Sequence, residues 1–352
     1  MATADTIAHG ASAAPGDPDS FASLLRAAVA RHLGAPGTPH DLQRLTGGAT
    51  KATWAFDAEC GGTRMPLIMQ TTNAGAASIP AAIDGLTPHL TAEEDAQVMR
   101  AAERVGVPAP HVHALLEPAD GLGHGYITGR VPGETIGTRI LREERYAAAR
   151  SAMAAQCGTI LALVHTIDPR EAPFLKDQDA AAQVAAYRRY VDHYRLRLPA
   201  VEMGLRWAAD RIPSKPRRAV LHGDFRMGNI IVGEEGVRCV LDWEIAQIGD
   251  PMQDLGWLCV KTWRFGGRNP VGGFGAREDL FAAYEKASGV AIDPAQVLFW
   301  EAFGDVKWAI MCLFKAMAFS DGTEPLSLEQ AAIGRRIEEP LLDFLNLIEG
   351  RD

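Results

Sequence analysis

Apolar positions first recur at helical spacing from Phe21 to Leu33, and Gly34 ends the run. Three short segments of strand character follow: Leu42 to Leu45, Thr53 to Asp57 and Pro66 to Thr71. The first two flank Thr46-Gly47-Gly48-Ala49-Thr50 and the last two flank Gly61-Gly62, so the pattern predicts a small antiparallel meander joined by glycine turns. Residues 75–91, with Pro80, Gly85 and Pro88, read as loop. Glu93 to Val105 predicts a helix stopped by Gly106 and Pro108. The segments His111 to Leu116 and Gly125 to Val131 then complete a five-stranded sheet carrying one helix.

Beyond Pro132-Gly133 the pattern turns helical. Arg145 to Ile167 and Ala180 to Arg211 predict long helices, with others over Arg277 to Ser288, Pro294 to Ser320 and Leu328 to Leu347. One β-rich island, Ala219 to Asp242, interrupts them, and no internal repeat is visible. A strand-rich first third and a helical remainder predict an α+β chain with two unequal lobes. Residues 1–19 read as a flexible tail, 20–131 as the smaller sheet lobe and 132–352 as the larger helical lobe.

Composition narrows the function classes. A net charge of -9 argues against a nucleic-acid binder, because phosphate backbones are held by clustered Lys and Arg. The five cysteines are scattered without a C-x-x-C pair, which predicts reduced thiols and neither a disulfide framework nor a zinc site. The first twenty residues lack the basic and apolar stretches of a signal peptide, and no uncharged apolar run is long enough to span a bilayer. These features together predict a cytoplasmic protein without a membrane partner.

The β island carries the chemistry. It reads Leu221-His222-Gly223-Asp224-Phe225-Arg226-Met227-Gly228-Asn229, and continues to Val240-Leu241-Asp242-Trp243-Glu244. An Asp followed two residues on by a basic residue and five on by an Asn, with a second Asp thirteen residues later, resembles the catalytic loop and metal-binding aspartate of the protein-kinase superfamily. The wording H-G-D-x-x-x-x-N, then D-W-E and Gly249-Asp250-Pro251-Met252-Gln253-Asp254-Leu255, is similar to the aminoglycoside phosphotransferase family, also called the phosphotransferase enzyme family. The resemblance implies a protein-kinase-like fold and transfer of the γ-phosphoryl group of ATP to a hydroxyl. It also implies roles for the matching residues. Asp224 would orient the acceptor hydroxyl and take its proton, Arg226 would neutralise charge on the phosphoryl group, and Asn229 and Asp242 would hold Mg2+. His222 would brace the loop, Asp250 and Asp254 are read as structural, and Glu244 is left between a metal contact and a support.

In the sheet lobe, the resemblance implies that Gly47, Gly48, Ala49 and Thr50 cover the nucleotide phosphates with their backbone amides. On the third strand the family carries Lys or Arg; here the aligned residue is Gln70, which brings hydrogen bonds but no charge. Its helix partner is Glu94 or Asp95. Lys51 is a candidate replacement cation, and the backbone around Thr128 and Arg130 is the candidate adenine contact. By contrast, Gly121-Leu122-Gly123-His124-Gly125 lacks the setting of a dinucleotide fingerprint, and His111 and His113 have no further ligand set.

Only seven residues separate Asp242 from Asp250-Pro251, leaving no room for a peptide-docking segment and favouring a small-molecule acceptor. The stretch Ala180 to Arg211 carries six arginines against three carboxylates, which favours a neutral or anionic acceptor over a polycationic aminoglycoside. Related kinase domains occur fused to acyl-CoA dehydrogenases, so the resemblance adds a hydroxyacyl thioester as one candidate. Trp257, Trp263, Phe265, Phe274, Trp300 and Trp308 are read as core residues that could also wall the acceptor site. The alternative, motivated by Gln70, is a nucleotide-binding pseudokinase with a sensor or scaffold role. The sequence does not indicate an oligomeric state.

Overall fold

The structure is a computed structural model that describes residues 18–34, 39–45, 51–72, 86, 89–214, 217–320 and 328–351. The described residues form two compact units. One joins the chain up to Thr72 to Val112–Arg130; the other joins the segment ending at His111 to everything from Val131 onward.

The first unit contains helix α1 (Pro18–Leu33) and a five-stranded antiparallel sheet. The strands are β1 (His40–Leu45), β2 (Lys51–Cys60), β3 (Thr63–Thr72), β4 (Val112–Leu115) and β5 (Gly125–Gly129), in spatial order β1-β2-β3-β5-β4. Period-two alternation puts Phe56, Ala58, Leu67, Met69 and Ile127 on one face, where Leu25, Ala28 and Val29 of α1 bury them. The opposite face is polar: Thr53 pairs in register with Gln70, and Gln70 with Tyr126. A buried carboxylate, Asp120, pins α1 by accepting hydrogen bonds from Arg31 Nη1 (2.6 Å) and His32 Nε2 (2.8 Å).

The second unit holds the helices. α2 (Ala92–Arg104) opens on a capping box in which Thr91 and Glu94 satisfy each other's backbone amides. The Val240 amide donates to Pro108 O just beyond α2, and the Leu90 amide just before it donates to Glu244 O, so this segment is tied to the β island. Then come α3 (Gly137–Arg142), α4 (Ala147–Val164), α5 (Ala180–His193) and α6 (Pro199–Ala209). The island itself contains β6 (Ala219–Leu221), β7 (Ile230–Gly233), β8 (Gly236–Val240) and β9 (Gln247–Gly249), paired antiparallel as β6 with β9 and β7 with β8. The remaining helices are α7 (Met252–Cys259), α8 (Arg277–Ser288), α9 (Pro294–Ser320), α10 (Leu328–Gly334) and α11 (Glu338–Ile348). With the antiparallel sheet and mostly helical remainder, this is the expected kinase-like α+β fold.

Two expectations about helices are corrected. Ala180 to Arg211 is not one helix but α5 and α6, because Pro199 lacks an amide proton and fits only the first turn of a new helix. Arg195 turns the chain between them in the left-handed region (φ 51°). Leu328 to Leu347 likewise divides into α10 and α11, with Pro340 placed in the first turn of the latter. Glu144–Val164 is apolar and long enough, by length and composition alone, to cross a membrane, although Glu144, Arg145 and Arg150 keep it from being an uncharged run. Its Met153, Cys157 and Leu161 are nevertheless buried in the helical unit. Gly158 lets α4 lie against α8 so closely that a Cβ there would sit 2.3 Å from Leu280 O. Among the described residues all five cysteines are free thiols.

Candidate active site

The catalytic-type loop hangs on a buried carboxylate. Asp254, in the first turn of α7, is fully buried and accepts hydrogen bonds from the backbone amides of His222 (2.8 Å) and Gly223 (2.9 Å) and from His165 Nε2 (3.2 Å). Burial alone would raise its pKa; the hydrogen bond from His165, together with that from the Gly223 amide, outweighs this and holds it below the usual carboxylate range. Asp250 ends the same stretch: it accepts from Trp300 Nε1 (2.8 Å) and the Met252 amide (3.1 Å), and burial pushes its pKa up. Both residues order backbone and core, which is the structural role their sequence setting suggests.

His222 is fully buried between the rings of Trp243 and Phe225. Its Nδ1 accepts the Asp224 amide proton (3.2 Å) and its Nε2 faces Leu241 O (3.0 Å), so the network assigns the proton to Nε2. Burial pushes its pKa down, against the opposing pull of Asp254 and Asp224, and keeps the ring neutral. Gly223 stands between them at φ 84°, and a Cβ there would lie 2.4 Å from Ile245 O. Only glycine fits.

These constraints present Asp224, which accepts hydrogen bonds from three side chains. Arg226 Nε donates to both oxygens (2.9 and 3.1 Å), Asn229 Nδ2 to Oδ2 (2.7 Å) and Trp257 Nε1 to Oδ1 (2.7 Å). The carboxylate is 15% exposed, enough for contact with a small molecule while its orientation stays fixed. Asn229 also donates to Asp224 O (3.0 Å), which directs its amide oxygen away from Asp224. The Leu241 amide donates to Asn229 O (2.7 Å), bringing Asp242, the next residue, beside Asn229.

Asp242 lies two residues beyond β8 in the left-handed region (φ 66°), an unfavourable conformation for a residue with a Cβ. Among the described residues no group of three His, Cys, Asp or Glu side chains forms a metal cluster. A Mg2+ ion binds through one or two protein oxygens, waters and substrate phosphates. The Asn229 amide oxygen and the Asp242 carboxylate are hard donors of that kind.

An aromatic group adjoins Asp224. Trp257 and Trp263 are buried and Trp308 is partly so; their ring centroids are 5.3 and 4.8 Å apart in turn. The Arg226 guanidinium covers the Trp263 ring at 4.6 Å. The Trp263 indole N–H is buried with no hydrogen-bond partner among the described residues. On α9, Lys307 Nζ lies 5.5 Å from the Trp257 ring and 6.0 Å from those of Tyr187 and Phe303, and donates to Gln183 Oε1 (2.9 Å). Burial pushes its pKa down to about 8, although Asp254 and Asp224 pull it upward. Sequence reasoning missed Trp257 as a partner of Asp224 and missed Lys307 altogether. The available signals were the i, i+3 spacing of Asp254 and Trp257, and a lysine within the apolar run of α9.

In the first unit, Gln70 accepts from Tyr126 Oη (2.8 Å) and donates to Thr53 Oγ1 (3.3 Å). Lys51 Nζ lies 6.0 Å from the Tyr126 ring, so Lys51, Thr53, Gln70 and Tyr126 share the polar sheet face. Thr128 is buried on β5; Arg130 follows it, its guanidinium paired with Asp57 and its amide donating to Pro66 O. Gly47, Gly48, Ala49 and Thr50 lie outside the described residues. In the second unit, Glu94 caps α2, whereas Asp95 is buried and its charge acts on His222.

A five-stranded antiparallel sheet unit and a helical unit bearing this loop define the kinase-like phosphotransferase class. Residues 41–300 match the model of the phosphotransferase enzyme family, and the chain belongs to that family. A candidate aminoglycoside phosphotransferase from Ralstonia eutropha superposes with a TM-score of 0.70 at 20% identity, over 93% of this chain and 98% of that one. A spectinomycin phosphotransferase bound to ADP and spectinomycin gives 0.60 at 12% identity, over 95% and 99%. Acyl-CoA dehydrogenase family member 10 of Mus musculus is 29% identical over 193 residues, covering 49% of this chain and 17% of the mouse protein. This chain therefore matches only a small part of that relative's length.

Proposed function

We propose that the protein transfers the γ-phosphoryl group of Mg-ATP directly to a hydroxyl of a small, neutral or anionic molecule. The observation that carries this reading is the Asp224 carboxylate, fixed by Arg226, Asn229 and Trp257 yet open to contact. A carboxylate held in this way can accept the proton of an acceptor hydroxyl and keep its oxygen aimed at the phosphorus, so that positioning supplies most of the catalysis. The O–H bond breaks as the new O–P bond forms, and ADP leaves. Arg226 holds Asp224 through Nε, leaving its two terminal nitrogens to meet charge on the transferred group. Asn229 and Asp242 would hold Mg2+, which when bound offsets phosphate charge. Gln70 brings no cation, and Lys51, on the same sheet face, is assigned that contribution. Thr128 and Arg130 would lie beside the adenine.

The acceptor preference rests on Lys307. Trp257 touches Asp224 through its N–H and lies 5.5 Å from the Lys307 ammonium, so an acceptor entering here meets a cation and indole rings. A polycationic aminoglycoside would be repelled. The basic stretch 180–211 is a weaker argument than its composition suggests. Arg188 is paired with Glu202, Arg206 lies near Asp210, and Arg211 covers Trp207. The acyl-CoA dehydrogenase relative adds hydroxyacyl thioesters to the compounds to try. The test is a metabolite-extract screen with γ-labelled ATP. A labelled product formed by the wild type and absent with Asp224→Ala supports the reading; equal labelling by both proteins sinks it. The pseudokinase alternative is favoured by Gln70 alone, and predicts nucleotide binding with no product in that screen.

A further inference from the structure

The helical unit contains a cavity of about 560 Å3, within the about 300–1,000 Å3 range of small-molecule sites. Three arginines face it, Arg142, Arg150 and Arg268, with Ser151 and Asn269 as neutral polar neighbours, and no carboxylate lines it. Arg150 is committed in part to structure, donating to Ile140 O (2.8 Å) and Glu143 O (2.9 Å). Arg142 and Arg268 are exposed and have no ion-pair partner among the described residues. Three guanidinium groups around one space repel each other unless an anion joins them, and their planar forks suit phosphate oxygens.

The wall of this cavity is built into the fold and reaches the catalytic loop. Phe265 starts the wall in the left-handed region (φ 46°). The loop is anchored by buried Arg264, which donates to Cys259 O (3.1 Å) and to Glu301 Oε1 on α9 (3.0 Å), and Glu301 is bound again by Arg277 (2.7 and 2.8 Å). The Phe265 ring packs against Gly137 and Met227, and its tip lies 3.9 Å from where a Cβ on Gly228 would stand. Gly228 in turn contacts the Arg226 guanidinium, which holds Asp224. An anion in the cavity therefore sits one aromatic side chain away from the loop that presents Asp224.

We propose that this cavity binds a phosphate-bearing handle of the acceptor, while the hydroxyl to be phosphorylated reaches Asp224. The proposal rests on the phosphotransferase reading and deepens it: the acceptor already carries phosphate before the reaction.

Calorimetry can separate the two claims. The nucleotide site is first saturated with ADP, with magnesium in excess, and inorganic pyrophosphate is then titrated into wild type and Arg142→Gln/Arg268→Gln. The wild type should bind one further equivalent, weakened by added salt. The double variant should bind it at least tenfold more weakly, with its melting curve and ADP affinity unchanged, because neither arginine supports the fold. Equal pyrophosphate affinity in both proteins, or competition between pyrophosphate and ADP, overturns the acceptor-handle proposal; competition would assign the cavity to nucleotide phosphates. Pyrophosphate binding that depends on the arginines, in a wild type that does not bind ADP, overturns the phosphotransferase reading and leaves the anion site standing.

Discussion

The Trp257 indole N–H donates to Asp224 Oδ1 at 2.7 Å, fixing the carboxylate from the side opposite in sequence to its own loop. Asp224 also receives Arg226 and Asn229, but those donors are two and five residues away and move with it. Trp257 belongs to α7, whose Asp254 fixes the same loop from beneath through the His222 and Gly223 amides. One short, wholly buried helix thus sets both the height of the loop and the direction of its carboxylate.

Trp257→Phe keeps most of the ring and removes the donor. Hydrogen bonds to charged groups are worth about 1.5–3 kcal/mol, so kcat should fall by about tenfold to a hundredfold. The KM for ATP should stay within twofold, as the nucleotide makes no use of this bond. Steady-state kinetics check it.

Gly223→Ala tests the loop backbone. At φ 84° with a carbonyl 2.4 Å from the new Cβ, the variant should lose about 2–4 kcal/mol of stability by chemical denaturation, combining backbone strain and overcrowding. An unchanged midpoint would mean that the loop moves freely.

Lys307 provides a pH signature. Its pKa is about 8 in the fold and about 10.4 when unfolded, so between those values the unfolded chain holds the extra proton and stability rises with pH. Lys307→Met removes this titration. The variant should melt higher than wild type near pH 7, and the difference should shrink steadily towards pH 10; a constant difference contradicts the burial of that charge.

Lys51→Met addresses the departure at Gln70. If Lys51 supplies the missing phosphate cation, ADP affinity should fall by about tenfold, the worth of a charge-assisted contact. Unchanged affinity in a fluorescence titration would remove Lys51 from the nucleotide site.

The cluster at Asp224 was more legible in the sequence than its supports. Asp224, Arg226 and Asn229 were readable because a single loop sets their spacing, and the loop's wording is specific. Helices ending at glycine, such as α8, were readable to the residue; the break at Pro199 was missed because arginine-rich periodicity continued across it. β9 is three residues long and offers no pattern until it pairs with β6. Trp257 and Lys307 lie 33 and 83 residues beyond Asp224 in sequence, and only packing of α7 against α9 brings them to it. Within residues 180–211 Arg188 and Arg206 pair with carboxylates, whereas Arg142 and Arg268, without an ion-pair partner among the described residues, face the cavity beside α3 and α4, elements whose sequence carried no charge pattern of note.

The most direct measurement compares Asp224→Asn with wild type in two assays on the same protein: ADP affinity in the presence of magnesium, and turnover of the phosphorylated product found in the extract screen. Loss of a general base predicts a fall in kcat of about 10^2–10^4-fold with ADP affinity within twofold. Turnover within a few-fold of wild type would contradict the assignment of Asp224 as the group that receives the acceptor's proton.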